Sequence, residues 1–274
     1  MTALYTILSL TILFTIVYLF LIGGRKVTPG FEKLEGIYYA HRGLHNKPTI
    51  PENSLAAFRL AAEKGYGAEF DVHLMADGNL AVIHDSSLLR TAGADVNIEA
   101  LTAPDLEHYT LEESDEKIPL FTEVLDIFCG QAPVVIELKT AGSNASKLCE
   151  AVFKILDNYS GDFCVESFDP RCLIWMKKNR PRVIRGQLSQ NFFRKGKSSG
   201  MGGAVDFILT HLLGNFLTRP DFIAYEFCDR KKLSNTLCRK LWRLHSATWT
   251  IKTKEDFDVA VKEGYLPIFE HFKP

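Results

Sequence analysis

Glu69 and Asp71 form the first group of residues in this sequence that could do chemistry. They stand two residues apart in a β-rich run, and because side chains alternate along a strand, both carboxylates project from the same face. Neighbouring acids repel each other unless a positive charge lies between them, and a hard divalent cation prefers such oxygen ligands. A turn signal at Asp77-Gly78, with only twelve residues between Asp71 and His84, predicts that the chain turns and returns as an extended segment. The stretch therefore predicts a cation site with an imidazole beside it.

Glu137 and Lys139 repeat this spacing at the end of a β-branched run that starts at Pro133. At the same end of a sheet, Glu137 is a candidate third carboxylate for the cation, and the Lys139 ammonium suits an anionic oxygen. The alternative is that both residues simply end a strand in solvent, where charged side chains are common. A shared position with Glu69 and Asp71 favours the functional interpretation.

His41 and Arg42 follow an apolar run at 36–40 and form a third candidate group. Imidazole titrates near neutral pH and can act as an acid or a base, and the permanent charge of Arg42 suits a phosphate. A single histidine at a strand end is more often structural than catalytic. Two histidines, His41 and His84, at two strand ends beside three carboxylates favour hydrolytic chemistry.

The elements that would position these residues alternate between strands and helices, which implies a parallel sheet. About eight strands in about 240 residues fit a (β/α)8 barrel, whose usual size is about 250 residues. A doubly wound sheet is the competing fold, but it usually has a Gly-rich first turn, which this sequence lacks. The candidate residues, and also Trp249, come at the ends of separate strands, as in barrel active sites. We therefore predict an α/β protein with a TIM-type (β/α)8 barrel preceded by one transmembrane helix.

That N-terminal helix is predicted because residues 2–24 contain no charged side chain and are mainly apolar. About twenty such residues span a bilayer as a helix. A cleaved signal peptide is the alternative, but it would have basic residues before the apolar run and a small-residue cleavage site after it. Here Arg25 and Lys26 follow the run directly. We predict a transmembrane anchor at 1–25, a polar linker at 26–35 and the barrel domain at 36–274.

The charges that flank the anchor predict its orientation. Arg25, Lys26 and Lys33 lie on the C-terminal side, which favours a single-pass protein with a cytoplasmic catalytic domain, and an extracytoplasmic domain is the open alternative. Six cysteines without C-x-x-C spacing agree with a reducing compartment. A net charge of −1 without a long basic run argues against nucleic-acid binding. We predict a small-molecule substrate and the membrane bilayer as partners, and no protein partner.

Several short motifs occur in one order along the chain and together resemble the glycerophosphodiester phosphodiesterase family. The motifs are His41-Arg42-Gly43, Pro51-Glu52-Asn53-Ser54, Gly67-Ala68-Glu69-Phe70-Asp71-Val72, Asp77-Gly78, His84-Asp85, Pro119-Leu120, Glu137-Leu138-Lys139, Ser167-Phe168-Asp169 and Trp249-Thr250. The ordered set is specific and spans the chain from about residue 37 to residue 272. Two departures are Ser54, where the family often has Thr, and the closing Phe269-Glu270-His271-Phe272 in place of a common Thr-Asp ending, which leaves the contribution of the last strand open.

The resemblance implies a (β/α)8 barrel that uses a divalent cation, Ca²⁺ or Mg²⁺, to hydrolyse glycerophosphodiesters to sn-glycerol 3-phosphate and an alcohol. It also implies that a glycerol hydroxyl of the substrate is the nucleophile, which gives a cyclic intermediate that water opens. The site residues that it implies are His41 and His84 as acid and base, Glu69, Asp71 and Glu137 as metal ligands, Arg42, Lys139 and Trp249 as substrate- and phosphate-binding residues, and Glu52 and Asn53 as secondary residues.

The sequence leaves two alternatives to this function open. The same barrel could act on lysophospholipids as a lysophospholipase D-like phosphodiesterase, or it could be a non-catalytic binding domain, although every proposed catalytic position holds a competent residue. Residues 189–220, a basic Gly-rich piece followed by an apolar run, also have two interpretations. They form an outer barrel helix with its loop, which we favour, or a lid or bilayer-facing patch.

Overall fold

The computed structural model describes residues 1–26, 28–46, 49–200 and 202–274. The strands in these ranges are β1 (Tyr39–His41), β2 (Gly67–Leu74), β3 (Leu80–Val82), β4 (Val134–Leu138), β5 (Phe163–Ser167), β6 (Arg185–Ser189), β7 (Phe222–Glu226), β8 (His245–Ile251) and β9 (Leu266–Phe269). Because β1 pairs with both β2 and β9, the eight parallel strands close into a barrel, and β3 adds to β2 in antiparallel orientation. The predicted (β/α)8 barrel is confirmed.

Helices surround the barrel, and side-chain caps begin several of them. The hydroxyl of Ser54 accepts a hydrogen bond from the backbone N–H of Ala57 at 3.1 Å, and the hydroxyl of Thr253 accepts one from Asp256 at 3.2 Å. Such caps satisfy N–H groups that have no partner within the helix. The helices are α1 (Thr2–Leu21), α2 (Leu55–Glu63), α3 (Leu89–Ala92), α4 (Phe121–Phe128), α5 (Ala145–Leu156), α6 (Pro170–Asn179), α7 (Gly203–Thr210), α8 (Asn215–Thr218), α9 (Leu233–Lys240) and α10 (Lys254–Lys262).

The hairpin of β2 and β3 returns the chain to the carboxyl end of β2. Asp77 accepts a hydrogen bond from the backbone N–H of Asn79 at 3.0 Å, and Gly78 has a φ of +88°, a region that favours glycine. Val72 stands opposite Val82 in the antiparallel register. The predicted turn and return are therefore confirmed.

Residues 85–120 leave the barrel and form a separate hydrophobic cluster. Leu88, Ile98 and Leu106 are buried in this cluster together with Ile83, which directly follows β3. Burial of these apolar side chains against one another stabilises the excursion. The cluster thereby supports the end of the hairpin that carries His84.

The amino-terminal end of the barrel is filled by residues that follow α1. Phe31 and Leu34 are buried among strand residues that include Phe222, and the Tyr39 hydroxyl donates a hydrogen bond to the Leu34 carbonyl at 2.9 Å. A Cβ atom at Gly186 in β6 would lie 2.2 Å from the Phe222 ring, so only glycine leaves room for this packing. These apolar side chains fill the interior at this end of the barrel, and the polar candidate residues lie at the other end.

Phe58 of α2 tests how strongly the outer helices stabilise the barrel. Its side chain is fully buried, with the ring centroids of Phe70 and Phe128 at 5.5 Å and 6.1 Å. We expect Phe58→Ala to lower the free energy of unfolding by about 3–5 kcal/mol, because it removes apolar contacts and leaves a cavity. Urea unfolding of the detergent-solubilised chain measures this loss. The exposed Leu89→Ala is the control, with an expected change within about 0.5 kcal/mol; an equally small change for Phe58→Ala would contradict the packing.

The helix α1 projects away from the barrel. Residues 1–17 are all exposed, and the helix contains no charged side chain. Among the described residues it is the one helix that is long and apolar enough, by length and composition, to cross a membrane. A signal sequence near an N-terminus has the same character. The anchor, its linker and its orientation therefore stay predictions.

Candidate active site

A cavity of about 330 Å³ opens at the carboxyl ends of the barrel strands. The predicted site residues in its wall are His41, Arg42, Glu69, His84, Glu137, Lys139 and Trp249. A larger cavity of about 970 Å³ lies at the amino ends of β8 and β9, where its wall includes Tyr38, Arg239 and His245. Within the described part of the chain, that wall contains none of the predicted site residues. The smaller cavity is therefore the candidate active site.

Glu69, Asp71 and Glu137 come together at one point of this cavity. Asp71 stands beside Glu137 in the parallel register of β2 and β4, and each of the three offers a carboxylate oxygen within 4.8 Å of the other two. All three side chains are buried, and the Oε2 atom of Glu69 has no hydrogen-bond partner among the described residues. A buried oxygen without a partner and a donor set of three carboxylates fit a hard divalent cation.

Lys139 lies against two of these carboxylates, with its Nζ 2.8 Å from Glu137 Oε1 and 3.2 Å from Asp71 Oδ1. Burial, followed by the charge of Asp71, raises the pKa of Glu69 well above its usual value, and burial also raises the pKa of Glu137. Burial acts in the same direction on Asp71, but the neighbouring charges, Lys139 first, outweigh it and hold that pKa well below its usual range. One ammonium group neutralises only part of this acidic charge, so the site still attracts a cation.

Arg42 and Asn53 connect the loop after β1 to Asp71. The Arg42 guanidinium lies 2.8 Å from Glu52 Oε1, and its Nε lies 3.6 Å from Asp71 Oδ2. The Nδ2 of Asn53 donates a hydrogen bond to Asp71 Oδ2 at 3.0 Å. Glu52 also pairs with Arg90, at 2.7 Å. Glu52 and Asn53 thus contact charged site residues and orient them.

His41 ends β1 and has a carboxylate near each ring nitrogen. Its Nδ1 lies 2.6 Å from Glu270 Oε2, and its Nε2 lies 3.8 Å from Glu69 Oε2. Burial lowers the pKa of His41, and the hydrogen bond to Glu270 opposes that shift. Glu270 follows β9, the strand beside β1, so it is the contribution of the last strand that sequence reasoning leaves open. The available signal was its position directly after an apolar strand, the same signal that His41 carries.

His84 is also bound by a carboxylate. Its Nδ1 lies 2.5 Å from Asp85 Oδ1, and Arg90 Nε lies 2.5 Å from Asp85 Oδ2. Burial lowers the pKa of His84 to about 4. The hydrogen-bond pattern assigns a proton to Nδ1 in both His41 and His84, because a carboxylate accepts from it. The second nitrogen of each ring, Nε2, is then available for proton transfer.

Glu166 is a cavity residue that sequence reasoning missed. It lies in β5 beside Glu137 in register, it is 1% exposed, and its Oε2 has no hydrogen-bond partner within the described ranges. Burial, followed by the charge of Glu137, raises the pKa of Glu166 well above its usual value. The available signal was a charged residue inside the mainly apolar run at 163–167.

The raised pKa of Glu166 predicts a pH-dependent effect on stability in EDTA. The folded state holds this proton above pH 4.5, where the unfolded chain has lost it, so the wild-type carboxyl costs more stability as pH rises from 4.5 towards its folded pKa. We expect Glu166→Gln to raise the melting temperature, with a gain that grows as the pH rises above 4.5. Differential scanning calorimetry of both proteins measures the gain. A gain that shrinks as pH rises would show that this carboxyl is not the buried, proton-holding group described.

Trp249 and Phe168 form an apolar wall beside these charged groups. The Trp249 Nε1 donates a hydrogen bond to the Ala224 carbonyl at 3.2 Å. Its ring meets Phe168 edge-on, with centroids 5.7 Å apart. This pairing holds both rings in place and provides a surface on which the less polar part of a substrate can pack.

The connection between β6 and α7 contributes Gln190 and Lys197 to the wall of the cavity. Lys197 lines the cavity and has its Nζ 3.4 Å from Glu226 Oε1, while Arg194 lies 3.2 Å from Asp229 Oδ2 and contacts Cys228. Glu226, Cys228 and Asp229 could form a second cation site by residue type, but the two basic side chains already neutralise them. The described residues of the segment 189–220 thus form the outer helices α7 and α8 and part of the cavity wall.

Comparison with known proteins identifies the family of this chain. Residues 41–202 match the model of the glycerophosphoryl diester phosphodiesterase family. A glycerophosphodiester phosphodiesterase from Caldanaerobacter subterraneus subsp. tengcongensis is 29% identical over 167 residues, which cover 57% of this chain and 68% of that protein. A glycerophosphodiester phosphodiesterase from Bacillus altitudinis is 38% identical over 112 residues, 38% of this chain and 45% of that protein. The second of these alignments therefore spans less than half of the relative.

Solved structures share the same fold. A phosphodiesterase from Oleispira antarctica, in complex with the product sn-glycerol-3-phosphate, has a TM-score of 0.69 at 21% identity, over 85% of this chain and 92% of that one. A putative glycerophosphoryl diester phosphodiesterase from Silicibacter pomeroyi has a TM-score of 0.69 at 20% identity, over 88% and 93% of the two chains. At such identities the likeness shows the barrel alone. Because residues 41–202, more than half of the chain, match the family model, this chain belongs to the glycerophosphoryl diester phosphodiesterase family.

Proposed function

We propose that this chain hydrolyses glycerophosphodiesters to sn-glycerol 3-phosphate and an alcohol. The observation that carries the proposal is a cluster of side chains around one cavity at the carboxyl ends of the strands. The cluster contains two carboxylate-bound histidines, three acidic side chains and the basic side chains of Arg42 and Lys139. Family membership supports it. The product complex of the Oleispira antarctica phosphodiesterase, on the same fold, agrees with it.

Glu69, Asp71 and Glu137 would hold the divalent cation, Ca²⁺ or Mg²⁺, because their oxygens converge and one of them has no other partner among the described residues. When bound, such a cation polarises a phosphoryl oxygen and reduces the charge on it. Arg42 and Lys139 then stabilise the negative charge that builds on the nonbridging oxygens in the transition state. The carboxylates that pair with Arg42 and Lys139 hold these two basic side chains in place before the substrate binds.

His41 and His84 act as the acid and the base. One Nε2 accepts the proton of a substrate glycerol hydroxyl as that oxygen attacks phosphorus. The other Nε2 donates a proton to the departing alkoxide as its bond to phosphorus breaks, and water then opens the cyclic phosphodiester. A nucleophile within the substrate benefits from a high effective molarity. Glu270 and Asp85 keep the two rings in the orientation that this requires.

Glu270→Gln tests the positioning of His41. The carboxylate raises the pKa of His41, so its loss lowers that pKa and frees the ring to rotate. We expect kcat to fall about 10- to 1,000-fold, and the limb of the pH–rate profile that reports His41 to move to lower pH. Lys252→Met is the matched control, since Lys252 Nζ lies 2.9 Å from Glu270 Oε1 without being assigned a role. An unshifted pH profile in Glu270→Gln would remove the positioning role.

The location proposed for this activity is a membrane surface. The apolar helix α1 anchors the chain as a single-pass protein, and the basic residues after it favour a cytoplasmic barrel. Protease protection of the barrel in sealed membrane vesicles of known orientation tests this placement. Digestion of the barrel by protease added on the extracytoplasmic side would show that the orientation is the opposite one.

The activity is tested with the full chain in detergent and a panel of glycerophosphodiesters that differ in their alcohol. A coupled enzyme that oxidises sn-glycerol 3-phosphate reports turnover. A substrate analogue without a free hydroxyl next to the phosphoester is the control and should not react. Absence of sn-glycerol 3-phosphate from every substrate, with Ca²⁺ and with Mg²⁺, would refute the proposed reaction.

A lysophospholipase D-like activity is the second candidate. The observation in its favour is 31% identity to the lysophospholipase D GDPD1 of Rattus norvegicus over 121 residues, 39% of this chain and 37% of that protein. Release of choline or ethanolamine from lysophospholipids, compared with release from glycerophosphodiesters at equal concentration, separates the two candidates.

A further inference from the structure

We infer that α1 holds the mouth of the active-site cavity against the surface of an anionic lipid bilayer. This inference rests on the proposed anchor role of α1, and it adds the direction in which that helix leaves the barrel. It concerns a surface that we call the membrane-facing rim. The rim comprises the exposed residues Phe193, Lys195, Phe207, Ile208 and Leu233, which lie on the connections that follow β6 and β7.

The helix α1 joins the barrel without a flexible break. The Nε1 of Trp242 donates a hydrogen bond to the Leu19 carbonyl at 3.1 Å, and the Nδ2 of Asn215 donates one to the Ile22 carbonyl at 3.0 Å. Ile22 is fully buried. A Cβ atom at Gly24 would lie 2.4 Å from a backbone oxygen, so the chain there is in close contact with the barrel. The barrel therefore has a defined orientation relative to α1.

The joint between α1 and the barrel has a defined direction. Tyr18 packs against the buried cluster that contains Tyr225, near the carboxyl end of β7, and its side chain lies beside Ser234 in the first turn of α9. Seven residues later, the backbone N–H of Arg25 donates a hydrogen bond to the Pro220 carbonyl at 2.9 Å, before the amino end of β7. The chain from Tyr18 to Arg25 thus runs antiparallel to β7, from the cavity side of the barrel to its closed side.

The rest of α1 must then extend on the cavity side. Residues 2–17 precede Tyr18 in the same helix, all are exposed, and at 1.5 Å per residue they project about 24 Å beyond it. A bilayer around this part of α1 lies above the end of the barrel where the strands finish. Arg25 is not at the level of the lipid head groups, because it is bound to Asp221 at the closed side of the barrel.

The rim has the composition that such a position requires. Phe193 and Leu233 are 58% and 66% exposed, and Phe207 and Ile208 stand next to each other on the outer side of α7. Lys195 is exposed on the same connection as Phe193. Exposed aromatic and aliphatic side chains with interspersed lysines are typical of surfaces that enter the interface of an anionic bilayer. A substrate would reach the cavity through the layer between this rim and the lipid head groups.

Two exposed native cysteines provide matched probes for the test. Cys228 follows β7 on the cavity side, and Cys129 follows α4 on the closed side, while the other cysteines are buried. Cys228 is labelled with bimane in the Cys129→Ser variant, and Cys129 is labelled in the Cys228→Ser variant. The full chain is reconstituted in phosphatidylcholine–phosphatidylglycerol vesicles that contain a lipid with a nitroxide on its head group. Because the Cys228 sulfur contacts Arg194, Lys195→Cys in the variant without both exposed cysteines provides a second rim probe.

We expect the probes at positions 228 and 195, both on the cavity side, to be quenched several-fold more strongly than the probe at Cys129, because the quencher acts only over short distances. Equal quenching on both sides, or stronger quenching at Cys129, overturns the inference. Flotation of the vesicles after carbonate extraction is measured in the same samples. A chain that does not float with the vesicles shows that α1 is not an anchor, and this result overturns the inference. The detergent assay with glycerophosphodiesters tests the proposed reaction independently.

A paired variant tests the rim residues themselves. Phe207→Ser with Ile208→Ser should lower quenching of the rim probe at least about two-fold, because the rim then loses apolar contact with the bilayer. Val259→Ser with Val261→Ser is the matched control, since both valines are exposed on α10 away from the rim. Equal quenching in the two paired variants would overturn the assignment of this surface.

Discussion

Replacement of either active-site histidine, His41→Ala or His84→Ala, should lower kcat by about 10²–10⁴-fold, because proton transfer by a positioned side chain contributes about that much. Both rings lie in the wall of the same cavity, and each is bound at Nδ1 by a carboxylate, Glu270 or Asp85. The lost groups serve steps that water performs poorly: removal of a proton from a hydroxyl and protonation of an alkoxide. The coupled assay for sn-glycerol 3-phosphate measures the loss.

The histidine variants need a control that separates catalysis from folding. His108→Ala replaces an exposed histidine outside the cavity and should leave kcat unchanged. Circular dichroism and the melting temperature of each variant show whether the barrel is intact. A folded His41→Ala or His84→Ala protein with wild-type turnover would remove that residue from the acid–base pair.

Removal of divalent cations by EDTA should reduce activity to background, and added Ca²⁺ or Mg²⁺ should restore it. Glu69, Asp71 and Glu137 are buried acids, and Lys139 is the one basic side chain within 4 Å of both Asp71 and Glu137 among the described residues. Without a cation the phosphodiester anion must approach this acidic cluster, which repels it. A cation held by the cluster would reverse that interaction and would stabilise the transition state by several kcal/mol.

A substitution separates the proposed metal ligands from general effects of chelation. Glu137→Gln should increase the concentration of cation needed for half-maximal activity, because one anionic ligand is lost. Asp229→Asn is the matched control, since Asp229 belongs to the outer acidic group that Arg194 already pairs with. Isothermal titration with Ca²⁺ gives a readout that does not depend on activity. Full turnover in EDTA would exclude a metal-dependent reaction.

Much of the site follows from short-range patterns. Period-two spacing is sufficient to place Glu69 and Asp71 on one face of β2, and the turn at Asp77-Gly78 is sufficient to return His84 to the same end. These relations depend on backbone geometry over a few residues. The barrel likewise follows from the regular alternation of strands and helices.

Other parts of the site involve residues that are far apart in the chain. Glu270 binds His41 across 229 positions, and this contact exists only because β9 and β1 are neighbours where the barrel closes. Glu166 joins the acidic cluster because β5 pairs with β4 in one particular register. A local pattern can mark such residues as charged strand ends, but it cannot show which strand ends face each other.

The sequence by itself determined the family, the barrel, the converging acids and histidines, and a helix apolar enough to enter a membrane, because each of these is written in local spacing and composition. Only the tertiary structure decided that Glu270 binds His41, that Glu166 lies beside Glu137, and that the end of α1 packs against α8. The physical reason is that barrel closure and the packing of α1 depend on contacts among residues far apart in the chain, whose relative positions are set only when the whole fold forms.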